Sequence, residues 1–168
     1  MKKGILIATG VLALIAVIVS VMKPAAKLSE PTVATQAAND YPNMILTQAD
    51  STQRSAKDLK GKSVLIIYFT ECDHCQREAT AIRNKLSAFA GYDLWFLSTD
   101  AFPKIENFAN VYKLNNQPNV HFAQIRFEDV ATYFGSIPTP SVYIYSQSKK
   151  LVRAINGETP IDMIIQFL

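Results

Sequence analysis

Residues 63–89 of the chain read SVLIIYFTECDHCQREATAIRNKLSAF, and this stretch decides the fold. It opens with an uninterrupted apolar run, Val64 to Phe69, that is rich in β-branched and aromatic residues. Such a run predicts a strand covered on both faces of a sheet. After a short turn come Cys72 and Cys75, the only two cysteines of the 168-residue chain. We therefore expect a buried strand that delivers a dithiol to the start of a helix.

The segment after the dithiol has the spacing of a helix with one apolar face. Its apolar residues step by four, three, four and three positions, which places them on one side of a helix: Cys75, Ala79, Ile82, Leu86 and Phe89. This stripe predicts that Cys75 is buried, whereas Cys72, at the helix start, stays near solvent. Glu78 lies one turn beyond Cys75 and borders the inward face.

The position of Cys72 at a predicted helix N-terminus favours its thiolate, the nucleophile of thiol–disulfide exchange. Unpaired N–H groups at a helix start stabilise a nearby anion by roughly 0.3–1 kcal/mol. His74 adds to this stabilisation when it is protonated, whereas the carboxylates of Asp73 and Glu71 oppose it. His74 and Asp73 are therefore the residues expected to tune the acidity of the thiol.

The spacing of the two cysteines suits a two-step exchange. Cys75 is close enough to attack a mixed disulfide formed on Cys72 and to release the reduced partner. A carboxylate at Glu78 can take or return the proton of the buried thiol. Cys72, Cys75 and Glu78 are thus the catalytic candidates.

Other interpretations of these residues stay open. A zinc site needs four ligands, and beyond the two cysteines the chain offers only His74 and His121 as histidine ligands, with no second pair of cysteines. A passive disulfide, a solvated His74 and an ordinary surface position for Glu78 are further alternatives. We expect His121, in a predicted strand, to be partly buried rather than catalytic. Neither a metal ion nor another cofactor is expected.

The N-terminal segment predicts a membrane anchor. Residues 4–22 contain no charged residue, and at about 1.5 Å per residue they form a helix of roughly 28 Å, enough to span a bilayer. We therefore predict a signal anchor over residues 1–22, with a cleaved signal peptide as the alternative. Because only Lys2 and Lys3 precede the span, the rest of the chain is expected on the extracytoplasmic (periplasmic) side of the cell membrane.

The rest of the chain divides into a tether and one domain. Residues 23–42 are rich in Ala, Thr and Pro and predict a flexible linker. Residues 43–168 then supply enough apolar sequence for a single packed domain. The net charge of +3 is modest and is not concentrated in any basic run, so nucleic-acid binding is not expected.

The domain alternates predicted strands and helices. Met44 to Leu46 and the polar turn at Asp50 indicate a hairpin ahead of the central strand. Further strands are predicted at 94–98, 120–125, 141–145 and 151–155, and helices at 103–114, at 127–134 with Gly135 as its cap, and at 160–168 with Thr159 as its cap. This order predicts an α/β fold with a mixed central sheet flanked by helices.

A second motif, Ser136-Ile-Pro-Thr-Pro140, stands immediately before the 141–145 strand. A proline that follows a cis bond is fixed in a tight turn. Opposite a dithiol, such a turn offers backbone hydrogen bonds to an extended substrate peptide. A simple strand-entry proline is the alternative.

Together these residues resemble the thioredoxin superfamily, specifically its membrane-anchored TlpA-like branch. The resemblance spans residues 44–168 in family order. It rests on Asp58 to Lys62 before the apolar strand, the C-D-H-C helix start, Glu78 in a CxxCxxE pattern and the proline turn. It implies a thioredoxin-like fold, and it assigns roles to individual residues: Cys72 as the attacking thiol, Cys75 as the resolving thiol, Glu78 as the active-site acid, and Thr139-Pro140, or else Ile137-Pro138, as the cis bond that faces the dithiol.

The resemblance also implies the function. It points to a thiol–disulfide oxidoreductase, more a reductant than an oxidant, that needs protein substrates and a redox partner protein but no bound cofactor. Three positions depart from the family pattern and leave the redox direction open. Glu71 stands where Trp is common, Ile66 stands where thioredoxins carry a buried Asp, and His74 is similar to the oxidising DsbA type.

Other functions are compatible with the same fold. A redox-inert binding module would use the groove alone, and a copper chaperone would use the dithiol as ligands. A peroxiredoxin fits less well, because the chain lacks the proline and threonine that precede the peroxidatic cysteine in that family.

Overall fold

The structure is a computed structural model that describes residues 41–168. The predicted anchor and most of the predicted linker lie outside the described residues. Within the described part of the chain, no helix is both long and apolar enough to cross a membrane.

Within residues 41–168 the fold consists of one sheet and four α-helices. The strands are β1 (Ile45–Thr47), β2 (Gln53–Ser55), β3 (Lys62–Ile67), β4 (Tyr92–Ser98), β5 (Val120–Gln124), β6 (Ser141–Tyr145) and β7 (Leu151–Asn156). The helices are α1 (Asp73–Asn84), α2 (Phe102–Val111), α3 (Phe127–Tyr133) and α4 (Ile161–Ile165). The strands form a seven-stranded sheet in the order β2-β1-β5-β4-β3-β6-β7. The predicted hairpins β1–β2 and β6–β7 are both present.

The sheet is mixed, as predicted. β3 pairs in parallel with β4 and antiparallel with β6, and β4 pairs in parallel with β5. Since α1 and α2 connect strands that advance in one direction along the sheet, both helices pack on the same face. The carboxyl ends of β3 and β4 therefore meet at one edge, and α1 starts from that edge.

β3 lies at the centre of two apolar layers because its side chains alternate between the faces. Val64 and Ile66 pack with α1, α2 and α4, whereas Leu65 and Ile67 pack with α3 and the N-terminal segment. Tyr41 belongs to this second layer, where its ring lies 4.5 Å from that of Tyr145. The folded domain thus already includes Tyr41, two residues before the expected boundary.

Several element ends differ from the sequence prediction, three of them for reasons visible in the structure. β3 stops at Ile67 rather than Phe69, because the chain turns to bring Thr70 to the carboxylate of Asp100, just beyond β4. α1 ends at Asn84, and its last predicted turn, Leu86–Phe89, is a 3-10 helix. α2 ends at Val111 because Lys113 adopts a left-handed backbone (φ 54°).

The prediction that Thr159 is the N-cap of the last helix is wrong. Thr159 donates its hydroxyl to the Gly157 carbonyl at 3.1 Å, so its side chain is occupied, and Pro160 takes the N-cap position instead. By contrast, Gly135 ends α3 as predicted, with φ 75° and its N–H bonded to the Val130 carbonyl. Glycine is favoured at such a position because it tolerates positive φ.

Candidate functional site

Cys72 and Cys75 lie at the start of α1, where the chain leaves the carboxyl end of β3. Cys72 is the N-cap residue (φ −87°, ψ 114°), and its Sγ accepts a hydrogen bond from the Cys75 backbone N–H at 3.3 Å. Cys72 is partly exposed, whereas Cys75 is 2% exposed. The predicted separation of an accessible thiol from a buried one is confirmed. No disulfide joins the two.

The loop before Cys72 is fixed by a carboxylate just beyond β4. Asp100 accepts hydrogen bonds from the Thr70 N–H and hydroxyl, both at 2.8 Å, and from the Ser98 hydroxyl at 3.2 Å. The Gln76 side chain donates to the Thr70 carbonyl at 3.1 Å and ties the loop to α1. Sequence analysis missed Asp100. Its position just after a strand could have pointed to it, because polar residues that follow neighbouring parallel strands collect at one edge of the sheet.

The proline turn faces the dithiol. The Thr139–Pro140 bond is cis, which confirms the first of the two predicted choices. The Thr139 carbonyl oxygen lies 3.6 Å from Cys72 Sγ, and the Thr139 hydroxyl oxygen lies 3.8 Å from the same sulfur. The turn therefore presents polar groups directly to the accessible thiol.

The buried thiol is a weak acid. Burial raises the pKa of Cys75 to about 12, and the neighbouring Cys72 adds to this shift, whereas contacts with Phe69 and Thr139 oppose it. Cys75 is thus a neutral thiol near pH 7. It needs a proton acceptor before it can attack a mixed disulfide.

Glu78 is a buried carboxyl on the same helix. It is 3% exposed, and within residues 41–168 neither of its carboxyl oxygens has a well-formed hydrogen bond. Burial raises its pKa to about 8. The Thr159 N–H offsets this shift in part although its geometry falls short of a full hydrogen bond, and the Glu158 carboxylate adds to the shift. A group that titrates near neutral pH, one helical turn from Cys75, is well placed to exchange its proton.

A cleft of about 320 Å³ leads to this carboxyl. It runs between α1 and the segment before α4 and is lined by Arg77, Glu78, Ala81, Glu158, Thr159, Pro160 and Ile161. Glu78 is therefore buried by its neighbours yet borders a space that solvent can enter. Its burial excludes the alternative of an ordinary surface glutamate.

The two predicted tuning residues have different surroundings. Asp73 is exposed in the first turn of α1. The His74 Nδ1 lies 2.5 Å from Glu158 Oε2, and Arg77 binds the same carboxylate through two hydrogen bonds of 2.7 Å. These contacts lower the pKa of Glu158 to about 2, chiefly through Arg77. Sequence analysis missed Arg77 and Glu158, because residues 81 positions apart meet only in the folded chain.

An apolar groove adjoins the proline turn. It encloses about 320 Å³ and is lined mainly by apolar side chains, among them Ile67, Tyr68, Phe127, Val130 and Ile137, and it reaches Thr139. Two of its aromatic residues, Phe69 and Phe127, are 40% and 67% exposed. Large exposed apolar side chains of this kind are typical of surfaces that bind another protein.

His121 lies apart from the dithiol. Its ring stacks on Trp95 with centroids 4.5 Å apart, and its Nε2 lies 3.5 Å from Asp93 Oδ1. It is half-buried, in agreement with the sequence prediction. Among residues 41–168, no group of three His, Cys, Asp or Glu side chains is placed to hold a metal ion.

Comparison with known proteins identifies the family of this chain. The model of the AhpC/TSA family matches residues 37–154. The chain belongs to this family. Among curated relatives, the thiol-disulfide oxidoreductase ResA of Bacillus thuringiensis (strain Al Hakam) is 25% identical over 137 residues, which cover 79% of this chain and 77% of the relative.

Solved structures agree on the fold. The dsbF protein of Mycobacterium tuberculosis superposes with a TM-score of 0.62 at 18% identity, over 78% of this chain and 94% of that one. Arabidopsis thaliana ScoI with copper bound has a TM-score of 0.61 at 15% identity, over 77% and 94% of the two chains. At these identities the likeness shows the fold alone. The predicted thioredoxin-like family, and the enzyme class to which ResA belongs, are confirmed.

The raised pKa of Glu78 predicts a pH-dependent stability. The pKa is about 4.5 in the unfolded chain and about 8 in the folded one, so between these values the folded state binds the extra proton. The free energy of unfolding should therefore fall as pH rises from about 5 to about 8. Each pKa unit corresponds to about 1.4 kcal/mol, so we expect a loss of roughly 2–4 kcal/mol.

Urea denaturation at several pH values measures this loss. The Glu78→Gln variant should lack it, because the amide does not ionise. Glu106→Gln, at an exposed position on α2, is the matched control and should keep the wild-type slope. An identical slope in wild type and Glu78→Gln would contradict the assignment.

Proposed function

We propose that this protein is a membrane-tethered thiol–disulfide oxidoreductase that reduces protein disulfides outside the cytoplasm. The observation that carries the proposal is the position of the Cys72 thiol. It caps α1, lies beside the Thr139 carbonyl and belongs to the same helix start as the buried Cys75. Membership of the AhpC/TSA family and the similarity to ResA support the same class of reaction.

The two thiols have distinct parts in the reaction. The Cys72 thiolate attacks one sulfur of a substrate disulfide, and the other substrate sulfur leaves as a thiolate that takes up a proton. Cys75 then loses its proton and attacks Cys72 Sγ, which releases the second substrate thiol and leaves a Cys72–Cys75 disulfide. Two electrons and two protons pass to the substrate, and a redox partner protein restores the dithiol.

Glu78 is the proton acceptor for the second step. A thiol whose pKa is about 12 gives up its proton more readily to a carboxylate with a pKa of about 8 than to an exposed carboxylate of ordinary acidity. The cleft beside Glu78 then lets the proton pass to solvent. Burial of both groups thus serves one purpose: it keeps the resolving thiol neutral until the mixed disulfide has formed.

The surroundings of the dithiol suit a protein substrate. An extended peptide can pair with the backbone of Thr139 while its disulfide approaches Cys72. The apolar groove that reaches Thr139 then accepts an apolar side chain next to the substrate cysteine. Apolar burial of this kind contributes roughly 1.5–3 kcal/mol per large side chain.

The charges near Cys72 favour reduction over oxidation. Glu71 and Asp73 flank the thiol, and Glu158 binds both His74 and Arg77. Negative charge disfavours the thiolate, and a dithiol with a less stabilised thiolate is the stronger reductant. These carboxylates counter the oxidising tendency that His74 alone would suggest.

The site of action follows from the sequence. In this proposal the uncharged residues 4–22 span the membrane, and residues 23–42 act as a tether that holds the domain near its outer face. Protein disulfides form and persist in that compartment, so substrates for a reductant are available there.

A copper chaperone is the second candidate. The likeness to copper-bound ScoI favours it only at the level of fold. Cys72 and Cys75 are soft ligands suited to copper, but no third ligand joins them within the part of the chain that the structure describes. The exchange reaction therefore accounts for more of the site, including the position of Glu78.

Replacement of the resolving thiol tests the reaction. In Cys75→Ser, Cys72 should still attack substrates, but the mixed disulfides should persist because nothing resolves them. Cells carrying this variant should accumulate high-molecular-weight adducts that disappear on treatment with dithiothreitol. The double variant Cys72→Ser, Cys75→Ser is the control and should form none; if Cys75→Ser forms none either, the proposed reaction is wrong.

The reduction potential of the Cys72–Cys75 couple tests the direction. Equilibration of the full chain with glutathione buffers should give a value near that of thioredoxin, about −270 mV. A value near that of DsbA, about −120 mV, would overturn the reducing role and leave an oxidase.

Thiol labelling tests the location. In spheroplasts, a membrane-impermeant maleimide should modify Cys72 without lysis, because the domain lies outside the cytoplasm. The protein should remain with the membrane after an alkaline wash. Labelling that appears only after lysis would contradict the proposed location.

A further inference from the structure

An ionic cluster joins the start of α1 to the segment before α4. Arg77 donates from Nε to Glu158 Oε1 and from Nη2 to Glu158 Oε2, both at 2.7 Å, and His74 Nδ1 lies 2.5 Å from the same Oε2. One carboxylate thus binds two basic side chains of the dithiol helix. We refer to Glu158, Arg77 and His74 as the Glu158 cluster.

The contact distances bring the three side chains of the cluster together. His74 Nδ1 lies 2.5 Å from Glu158 Oε2 and 2.7 Å from Arg77 Nη2. Arg77 in turn donates two hydrogen bonds to the Glu158 carboxylate. The carboxylate therefore holds both groups in one orientation.

The cluster acts on the nucleophile through charge. The hydrogen bond to Glu158 is the largest cause of the raised pKa of Arg77, and the negative charges of Glu158, Asp73 and the Cys72 thiolate add smaller contributions. Arg77 lies on α1, the helix that Cys72 caps, so its guanidinium is a cation near the thiol. Glu158 is therefore the dominant partner of a cation that would otherwise favour the thiolate.

We propose that Glu158 is a positioning residue that restrains Cys72: it neutralises Arg77 and holds both Arg77 and His74 in place, which keeps the dithiol reducing. This inference builds on the proposed function, because it assigns the control of that reaction to a side chain outside the CxxC motif. The proposal fixes the direction in which removal of Glu158 shifts the reduction potential. Loss of the Glu158 charge leaves the positive charge near Cys72 uncompensated. The Cys72 thiolate is then more stable relative to the thiol, and the dithiol becomes more oxidising.

The other carboxylates near Cys72 lie outside this cluster. Glu71 is already paired with Lys104 at 2.7 Å, and Asp100 accepts the hydrogen bonds of Thr70. The proline turn contributes only the neutral Thr139. The charged or titratable groups around the thiol are Glu71 and Lys104 on one side, Asp73, His74, Cys75, Arg77 and Glu78 on α1, Tyr68 and Asp100 at the strand ends, and Glu158 before α4.

The pH dependence of alkylation tests the proposal without any substrate. The full chain carrying Cys75→Ser leaves Cys72 as the single thiol, and its rate of reaction with iodoacetamide reports the thiolate population. Adding Glu158→Gln should shift the rate profile to lower pH. At a pH below the midpoint the rate should rise about two- to fivefold, the range expected for an exposed ion pair.

Asp162 offers a matched control. On α4 it pairs at 3.7 Å with Lys85, the residue that follows α1, so Asp162→Asn removes an exposed carboxylate without touching the cluster. Its rate profile should match that of the parent. A shift equal to that of Glu158→Gln would show that loss of any carboxylate suffices, and would overturn the proposal.

A second variant keeps the test valid if Glu158→Gln folds poorly. Arg77→Gln removes the cation and leaves the carboxylate, so it should shift the profile the opposite way, to higher pH. When Arg77→Gln is already present, Glu158→Gln should shift the alkylation profile less, because the Arg77 cation that Glu158 neutralises is gone. Shifts of the same sign in both single variants would contradict the proposal.

The potential gives an independent readout with both cysteines present. In glutathione buffers, Glu158→Gln should move the equilibrium towards the dithiol about two- to fivefold, whereas Asp162→Asn should not. An unchanged potential and an unchanged alkylation profile would overturn the role of Glu158 while leaving the reaction intact. Absence of mixed disulfides in Cys75→Ser would instead reject the proposed function, so the two failures are distinguishable.

Discussion

The capping of α1 by the Cys72 thiol is the interaction on which the geometry of the site depends. The sulfur accepts the Cys75 N–H, so a nucleophile occupies the place that a Ser or Asp side chain usually fills at a helix start. This position is reached because β3 ends at Ile67 and Asp100 fixes Thr70. The thiol then meets Thr139 of the proline turn at 3.6 Å. Strand end, loop anchor and turn all converge on one sulfur.

Burial separates the functions of the other two groups. It raises the pKa of Cys75 to about 12 and that of Glu78 to about 8, so Cys75 stays a neutral thiol while the Glu78 carboxyl titrates near physiological pH. The Glu158 cluster acts on the exposed side of the same helix. The buried face of α1 thus carries the two groups with raised pKa, and its exposed face carries the ionic cluster.

Most of the fold could be predicted from local pattern. The apolar run at β3, the stripe from Cys75 to Phe89 and the β6–β7 hairpin all carry a periodicity that the sheet and helices retain. The errors lie at element ends, where a tertiary contact competes with local preference. Thr159 is a residue type favoured at helix N-caps, but its hydroxyl bonds to the Gly157 carbonyl. The apolar run to Phe69 has the pattern of a strand, but the chain turns after Ile67 so that Thr70 reaches Asp100.

The sequence alone determined the dithiol, its place at a helix start, the burial of Cys75 and the proline turn before β6, because each depends on residues close together in the chain. The tertiary structure decided what surrounds them. Asp100 and Glu158 come from distant segments, and their partners are set by which elements pack together. Electrostatic tuning depends on distances of a few ångströms between such segments, and no local pattern encodes those distances.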